Sequence, residues 1–408
     1  MRILIYSYNY HPEPIGIAPL MTELAEGLVK RGHEVRVITG MPNYPERVIY
    51  PEYRGKLYLT ETRNNVIIQR SYIWVKPLPG LIGRILLDGS FIVTSILPAL
   101  KGWKPDVILL TVPPLPVCVP ASLLGKIYNC PVILNLQDIL PDAAVHVGLL
   151  KSKLLINVFS KLEKFAYNNA TKITVITEGF IENLLEKNVP LDKMVLIPNW
   201  VDVNFIRPLP KEENNYFREM YDLKGKFVLL YSGNIGLTQG LETVIKTAVI
   251  LKDVPEIVFV IVGEEKAIAS LKEYCEELGV ENVKLCPFQP REKLPEMLAA
   301  SDVCLVVQKS NVIGFNMPSK IQVMLASGRP IIASVPENGT AAKAIEKSQG
   351  GIVVKPENEQ ELATAILELY QSPEKCQILG EKSREYALSQ YAFEQSLLGY
   401  EMLFKSVI

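Results

Sequence analysis

The chain has 408 residues, of which 43 are Lys or Arg and 44 Asp or Glu, for a formal charge of −1. With 48% hydrophobic and 21% charged residues, it has an ordinary globular composition and enough length for more than one domain, which excludes a disordered chain. The balanced charge argues against nucleic acid as the main partner, because phosphate binding usually leaves a basic excess.

The chain opens with RILIYS at 2–7, which reads as a strand and not as the basic start of a secretory signal. Short apolar strands are predicted at 3–6, 34–39, 66–69, 107–111, 132–136, 173–176 and 195–197. Amphipathic helices are predicted at 21–31, 82–100, 153–169 and 178–188. This alternation indicates a parallel sheet covered on both faces. The most apolar stretch, 107–125, carries four prolines and is a poor membrane span. A Pro-rich, aperiodic stretch at 198–210 marks a domain border. Strands then resume at 227–231, 257–262, 283–285, 303–307, 330–333 and 352–354, each followed by a helix, with a helical tail from 373 onward. The expected fold is therefore α/β, with two Rossmann-like doubly wound domains facing a central cleft, where ligands of open α/β sheets bind at the carboxyl ends of strands. The six cysteines are far apart, without a C-x-x-C pair. They read as free thiols in a reducing compartment, with no zinc site. The expected location is cytoplasmic.

Four segments carry polar groups at predicted strand ends. YNYHPEPIG at 8–16 places His11 and Glu13 ahead of a Gly16 loop that can turn backbone N–H groups toward an anion. SGNIGLTQG at 232–240 repeats the arrangement in the second domain, where Gly233, Gly236 and Gly240 permit close backbone approach. NMPSK at 316–320 opens a helix with Pro318 in its first turn, so that Ser319 and Lys320 offer donors and a positive charge suited to a diphosphate. Lys320 reads as an exposed side chain there. QDILPD at 137–142 offers Gln137 and Asp138, with Asp138 able to accept from a sugar hydroxyl. Dinucleotide-binding, P-loop and G-x-S-x-G signatures are all missing.

Taken in order, these segments resemble the retaining nucleotide-sugar glycosyltransferases of glycosyltransferase family 4, which have the GT-B fold. GLVKRGHEVRVITG at 27–40 resembles the family's first βαβ unit. IPNWVD at 197–202 resembles its interdomain IPNGVD segment. ASGRPIIA at 326–333 and GGIVV at 350–354 resemble two later runs. SGNIG at 232–236, MPSKIQ at 317–322 and QDILPDAAVHVG at 137–148 are most similar to colanic-acid-type fucosyltransferases. The resemblance implies an acceptor-binding domain at 1–200, completed by the C-terminal tail at about 385–408, and a nucleotide-sugar-binding domain at 201–384. It implies a GDP- or UDP-linked donor, compatible with a 6-deoxyhexose such as fucose, and a lipid-linked saccharide acceptor in exopolysaccharide or other cell-surface polysaccharide synthesis, at the inner face of the plasma membrane. Residues 74–86 and 91–100 are apolar with sparse charge and read either as a peripheral membrane contact or as a core helix packed on the first sheet. The resemblance implies no cofactor and no metal.

Residue by residue, it implies donor contacts from Gly16, Gly233, Asn234, Gly236, Gln239, Ser319, Lys320 and Gln322. It puts Asp138 and Lys320 in catalysis, with His11, Glu13 and Gln137 on the acceptor or sugar side. The sequence departs from the family where its paired glutamates would fall, at Phe315 and Val323, so Gln322 becomes the candidate ribose contact. The family's basic residues on the second glycine loop correspond to Asn234 and Gln239, which leaves Lys320 as the cation for the diphosphate. These departures keep one alternative open, a non-catalytic sugar-nucleotide-binding subunit of a polysaccharide assembly system.

Overall fold

A computed structural model describes residues 1–14, 16–75, 81–146, 148, 150–211, 215–236, 238–312, 314–315 and 317–408. Of the segments singled out above, Ile15, residues 76–80, Val147, Leu237 and Asn316 lie outside the described residues. The chain divides into two compact units, Met1–Asn199 with Ser396–Ile408, and Trp200–Gln395.

In the first unit, β1 (Arg2–Tyr6), β2 (Glu34–Gly40), β3 (Tyr58–Arg63), β4 (Val66–Ser71), β5 (Val107–Val112), β6 (Val132–Leu136), β7 (Lys172–Val175) and β8 (Met194–Leu196) form one sheet in the order β3-β4-β2-β1-β5-β6-β7-β8. All pairs are parallel except β3 with β4. β3 escapes the sequence reading because its residues, YLTETR, alternate between exposed and half-buried and never form an apolar run. Its signature is the turn, where Asn64 and Asn65 both take positive φ, as a tight hairpin requires. The apolar stretch at 107–125 divides at its prolines into β5 and a helix, Cys118–Tyr128, with Pro120 in the first turn.

In the second unit, β9 (Phe227–Ser232), β10 (Ile257–Gly263), β11 (Val283–Pro287), β12 (Val303–Val307), β13 (Ile331–Ser334) and β14 (Gly351–Val354) form an all-parallel sheet in the order β11-β10-β9-β12-β13-β14. Alternate residues of β9 enter different cores: Val228 and Leu230 pack on one face, Leu229 and Tyr231 on the other. This two-sided burial is why the strands read as continuous apolar runs.

The tail returns to the first unit later than expected. Helix Pro373–Gln390 belongs to the second unit, where Ala387 and Tyr391 are part of the core. The chain crosses back only at Ser396, whose Oγ donates to the Pro198 carbonyl at 3.0 Å. Within the first unit, Glu401 then accepts from Lys405, from Arg31 and from His33 Nε2, and the cations hold its carboxyl at about 2.

Candidate active site

Each sheet has one place where successive crossovers part in opposite directions. In the first unit it lies between β1 and β5, in the second between β9 and β12. The loops leaving such strand pairs splay apart and open a crevice at the carboxyl ends, the usual ligand position in a doubly wound sheet. The His11 loop leaves β1. The Gly233 loop leaves β9, and the segment ending in Ser319 and Lys320 leaves β12.

The first of these places is filled by its own polar groups. Glu13 is buried, and its carboxylate accepts from Asn9 Nδ2 (2.7 Å), Asn43 N (2.9 Å) and Tyr44 N (2.9 Å). Expected on the sugar side, it joins the loops after β1 and β2. His11 is half-buried. Its carbonyl accepts from Arg70 Nη2, and its ring is lowered from the ordinary histidine value by burial and by Arg63 and Arg70. The imidazole is therefore neutral at neutral pH. Arg70, which the sequence reading overlooked, reaches this position from β4. Its Nε also donates to Glu61 (2.6 Å), and its guanidinium stacks 4.9 Å from the Tyr53 ring. Gly16 takes φ +71 as the residue before helix Ile17–Lys30. An added Cβ there would meet nothing within 4 Å, so the glycine answers to backbone conformation and not to crowding.

At the end of β6, Gln137 is likewise engaged within the unit. Its Nε2 donates to Asn135 Oδ1 (2.8 Å) and its Oε1 accepts from Asn199 Nδ2 (2.7 Å). The side chain expected to touch the sugar ties the strand to the residue that closes the first unit. Asp138 follows it, half-buried, at the carboxyl end of β6. Four residues on, Asp142 is held by Lys187 Nζ (2.9 Å) and Asn183 Nδ2 (3.1 Å), and the same Lys187 reaches the buried Glu163 (2.6 Å). Asp138 thus stands between two anchored positions.

The second unit's switch point is different. Lys320, expected to be exposed, turns inward. The residue as a whole is half-buried, but its Nζ is fully buried and has no hydrogen-bond partner. The ammonium lies 3.7 Å from the centroid of the Tyr231 ring. A Cβ added at Gly233 would stand 3.1 Å from Nζ and 3.2 Å from Cε, so the lysine lies directly against the glycine loop. Burial alone pushes its pKa down to about 7. Gly233 has φ +140, a conformation that side-chain-bearing residues rarely adopt.

Around it, the Tyr231 hydroxyl donates to the Asn234 carbonyl (2.7 Å), and Gly236 N donates to Gln239 Oε1 (2.9 Å). Gln239 therefore braces the loop with its side chain. Ser319 is exposed and caps no backbone N–H. Gln322 is buried on helix Lys320–Ala326. That helix has only seven residues, so the dipole emphasised by the sequence reading is a lesser resource here than the lysine charge. Phe315 is buried and Val323 packs against the core, so both positions lack a carboxylate, as their identities dictate. Among the described residues no cluster of three or more His, Cys, Asp or Glu could hold a metal.

Two doubly wound units and a glycine loop with a buried cation at the second switch point define the class. Residues 214–386 match the family model of glycosyl transferases group 1, and residues 16–200 match that of the glycosyl transferase 4-like domain. The chain belongs to this glycosyltransferase family. It is 32% identical over 395 residues, 95% of each chain, to WcaI of Escherichia coli (strain K12), named as a colanic acid biosynthesis glycosyl transferase. It is 26% identical to the Pseudomonas aeruginosa glycosyltransferase WbjE over 66% of this chain and 65% of that one. In fold it is similar to Anabaena Alr3699/HepE, solved in complex with UDP-glucose, with a TM-score of 0.70, 16% identity and full coverage of both chains. It is also similar to the sucrose-phosphate synthase of Thermosynechococcus elongatus, with a TM-score of 0.72, 17% identity, and 99% and 98% coverage. The fold is the GT-B fold of glycosyltransferases.

Proposed function

We propose that the enzyme moves a hexosyl group, with retention, from a GDP- or UDP-linked sugar to a lipid-linked saccharide in bacterial polysaccharide assembly. The observation that carries this reading is the buried, unpartnered Lys320 ammonium at the Gly233 loop. A buried cation without a counter-anion is unstable by itself and suits an anion that arrives with the substrate. Ser319 and the Gly233–Gly236 loop are assigned to the remaining phosphate contacts; the Gly233 amide is held by the Val262 carbonyl, and the Gly236 amide becomes a donor to phosphate only when it leaves Gln239. Gln322 is assigned to the ribose. As the bond from the sugar's anomeric carbon to the phosphate oxygen breaks, negative charge grows on the diphosphate, and Lys320 stabilises it. The acceptor oxygen bonds to that carbon on the same face, and its proton passes to the leaving phosphate. Asp138 is assigned to orienting the acceptor hydroxyl. The likeness to WcaI supports exopolysaccharide as the setting.

Membrane contact is supported by the first unit. Helices Leu81–Leu100, Cys118–Tyr128 and Lys153–Asn169 expose apolar side chains at turn spacing: Val93 and Leu97, Leu123 and Ile127, Leu154 and Val158. Lys126, Lys153, Lys161 and Lys164 are exposed on the same helices. An anionic cytoplasmic leaflet suits such a surface. No helix among the described residues is long and apolar enough to cross a membrane. Co-sedimentation with vesicles should therefore require anionic lipid, and binding that ignores lipid charge would contradict it.

The test of the main reading is a panel of GDP- and UDP-sugars scored by thermal shift, because a ligand that binds the folded state raises its apparent stability. Nucleoside diphosphate release is then followed with lipid-linked acceptors. Stabilisation with turnover supports the transferase. Stabilisation without turnover on any acceptor would favour the binding subunit, and a chain stabilised by no sugar nucleotide would overturn both.

A further inference from the structure

Among the described residues no anion lies near the buried Lys320 ammonium. No charged neighbour contributes to its environment. The charged side chains on the adjoining loops are engaged elsewhere: Lys309 lies 4.0 Å from Glu242, and Glu357 accepts from Ser310 N at 3.0 Å. The group that faces the ammonium is the ring of Tyr231, 3.7 Å away at the centroid. Tyr231 is fully buried on β9, and its phenol is raised above the ordinary tyrosine value by burial, so it is neutral throughout the working range. Its hydroxyl is held by the Asn234 carbonyl, which fixes the ring beside the glycine loop.

We propose that Tyr231 is the positioning residue for Lys320, its ring face holding the ammonium against Gly233 in place of a carboxylate, so that an incoming diphosphate meets a cation with no competing anion. The inference rests on the reading of Lys320 as the phosphate contact. A carboxylate partner would hold the lysine more firmly, but it would repel the diphosphate. The ring attracts the cation through its quadrupole and repels nothing. A desolvated cation–π contact also favours the charged lysine over the neutral one, and so helps to keep it protonated near neutral pH.

The consequence is readable as a pH midpoint. If the diphosphate binds only the protonated lysine, affinity for GDP or UDP, corrected for the ligand's own phosphate ionisation at about pH 6, is flat below the lysine's pKa and falls about tenfold per pH unit above it. Weakening the ring face lowers that midpoint; removing only the hydroxyl does not. The test places phenylalanine, then phenylalanines of increasing ring fluorination, at position 231. The side chain keeps its shape while its quadrupole is drained. Affinity for GDP and UDP is measured by calorimetry across pH in each protein. Tyr231→Phe should keep the wild-type midpoint, and the fluorinated series should lower it stepwise, by about one unit at full fluorination. A midpoint unchanged across the series, in proteins that still bind, would overturn the role of Tyr231. Lys320→Met separates the two levels. If it binds the nucleotides as the wild type does, with the same pH dependence, the phosphate reading itself fails. If it abolishes the pH dependence while fluorination has no effect, only the Tyr231 inference fails.

Discussion

The two switch points have the same topology and opposite chemistry. Each follows the first strand of its sheet, and each has a glycine-containing loop leading to a helix. In the first unit the loop is closed by its own groups and its neighbours: Glu13 accepts from the Asn9 amide of the same loop and from two backbone N–H groups of the loop after β2, and Arg70 donates to the His11 carbonyl. In the second, a buried ammonium is left without a hydrogen-bond partner. Arg70 also leaves its buried Nη1 without a partner, but its other nitrogens are engaged, whereas the one polar atom of the Lys320 side chain has none. Since buried polar groups are normally satisfied, that lysine marks the ligand position better than the glycines do.

The sharpest way to break this contrast is to remove the lysine. Lys320→Ala should lower the transfer rate about a hundred- to a thousandfold, since one preorganised charge stabiliser is worth about 3–4 kcal/mol. Lys320→Arg should recover part of the loss, because it keeps charge but not shape. A rate within a factor of a few of wild type, in a folded Lys320→Ala protein, would erase the distinction between the two loops.

The same lysine should be costly to the fold. Its folded pKa, about 7, lies below that of an unfolded lysine. Between pH 7 and about 10.5 the unfolded chain binds more protons, so stability rises with pH across that window, and below it the burial cost stays in full. Lys320→Met should therefore stabilise the protein at pH 7, on the order of 2–4 kcal/mol, with the gain shrinking toward pH 10. Chemical denaturation at several pH values measures it; a destabilised Lys320→Met protein would show that the ammonium is satisfied after all.

The matching change in the first unit should act the other way. Glu13→Ala leaves Asn43 N and Tyr44 N without their acceptor and should destabilise by about 1–3 kcal/mol. GDP and UDP binding should be untouched. Loss of nucleotide affinity in a folded Glu13→Ala protein would give the two loops the same job. The smallest effect is expected at Gly233→Ala. The added methyl must accept positive φ and displace the lysine's terminal atoms, for a rate loss of about tenfold.

Much of the fold was legible in the sequence, because strands buried on both faces leave unbroken apolar runs and prolines mark where they stop. β3 was not, since an exposed edge strand carries no such run. The late return of the tail was hidden too, because helix Pro373–Gln390 looks the same in sequence whichever unit it packs on. At the site, sequence brought out the segments but not the state of their side chains. Gln137 and Glu13 read as ligand groups, and nothing in the sequence shows the amide and backbone partners that they hold within the first unit. Lys320 reads as a solvated lysine at a helix start, since nothing local says that its chain folds back over Tyr231. An aromatic residue two positions before Gly233 is the one signal that could have pointed there.

The central claim is that Lys320 meets the diphosphate as a lysine poised near neutrality. Isothermal calorimetry of GDP and UDP binding, in buffers of differing ionisation enthalpy, counts the protons taken up on binding. The wild-type protein should take up about half a proton at pH 7 and close to one at pH 8, and Lys320→Met should take up none at either pH. Nucleotide binding by the wild type with no proton uptake at pH 8, or the same uptake in Lys320→Met, would contradict it.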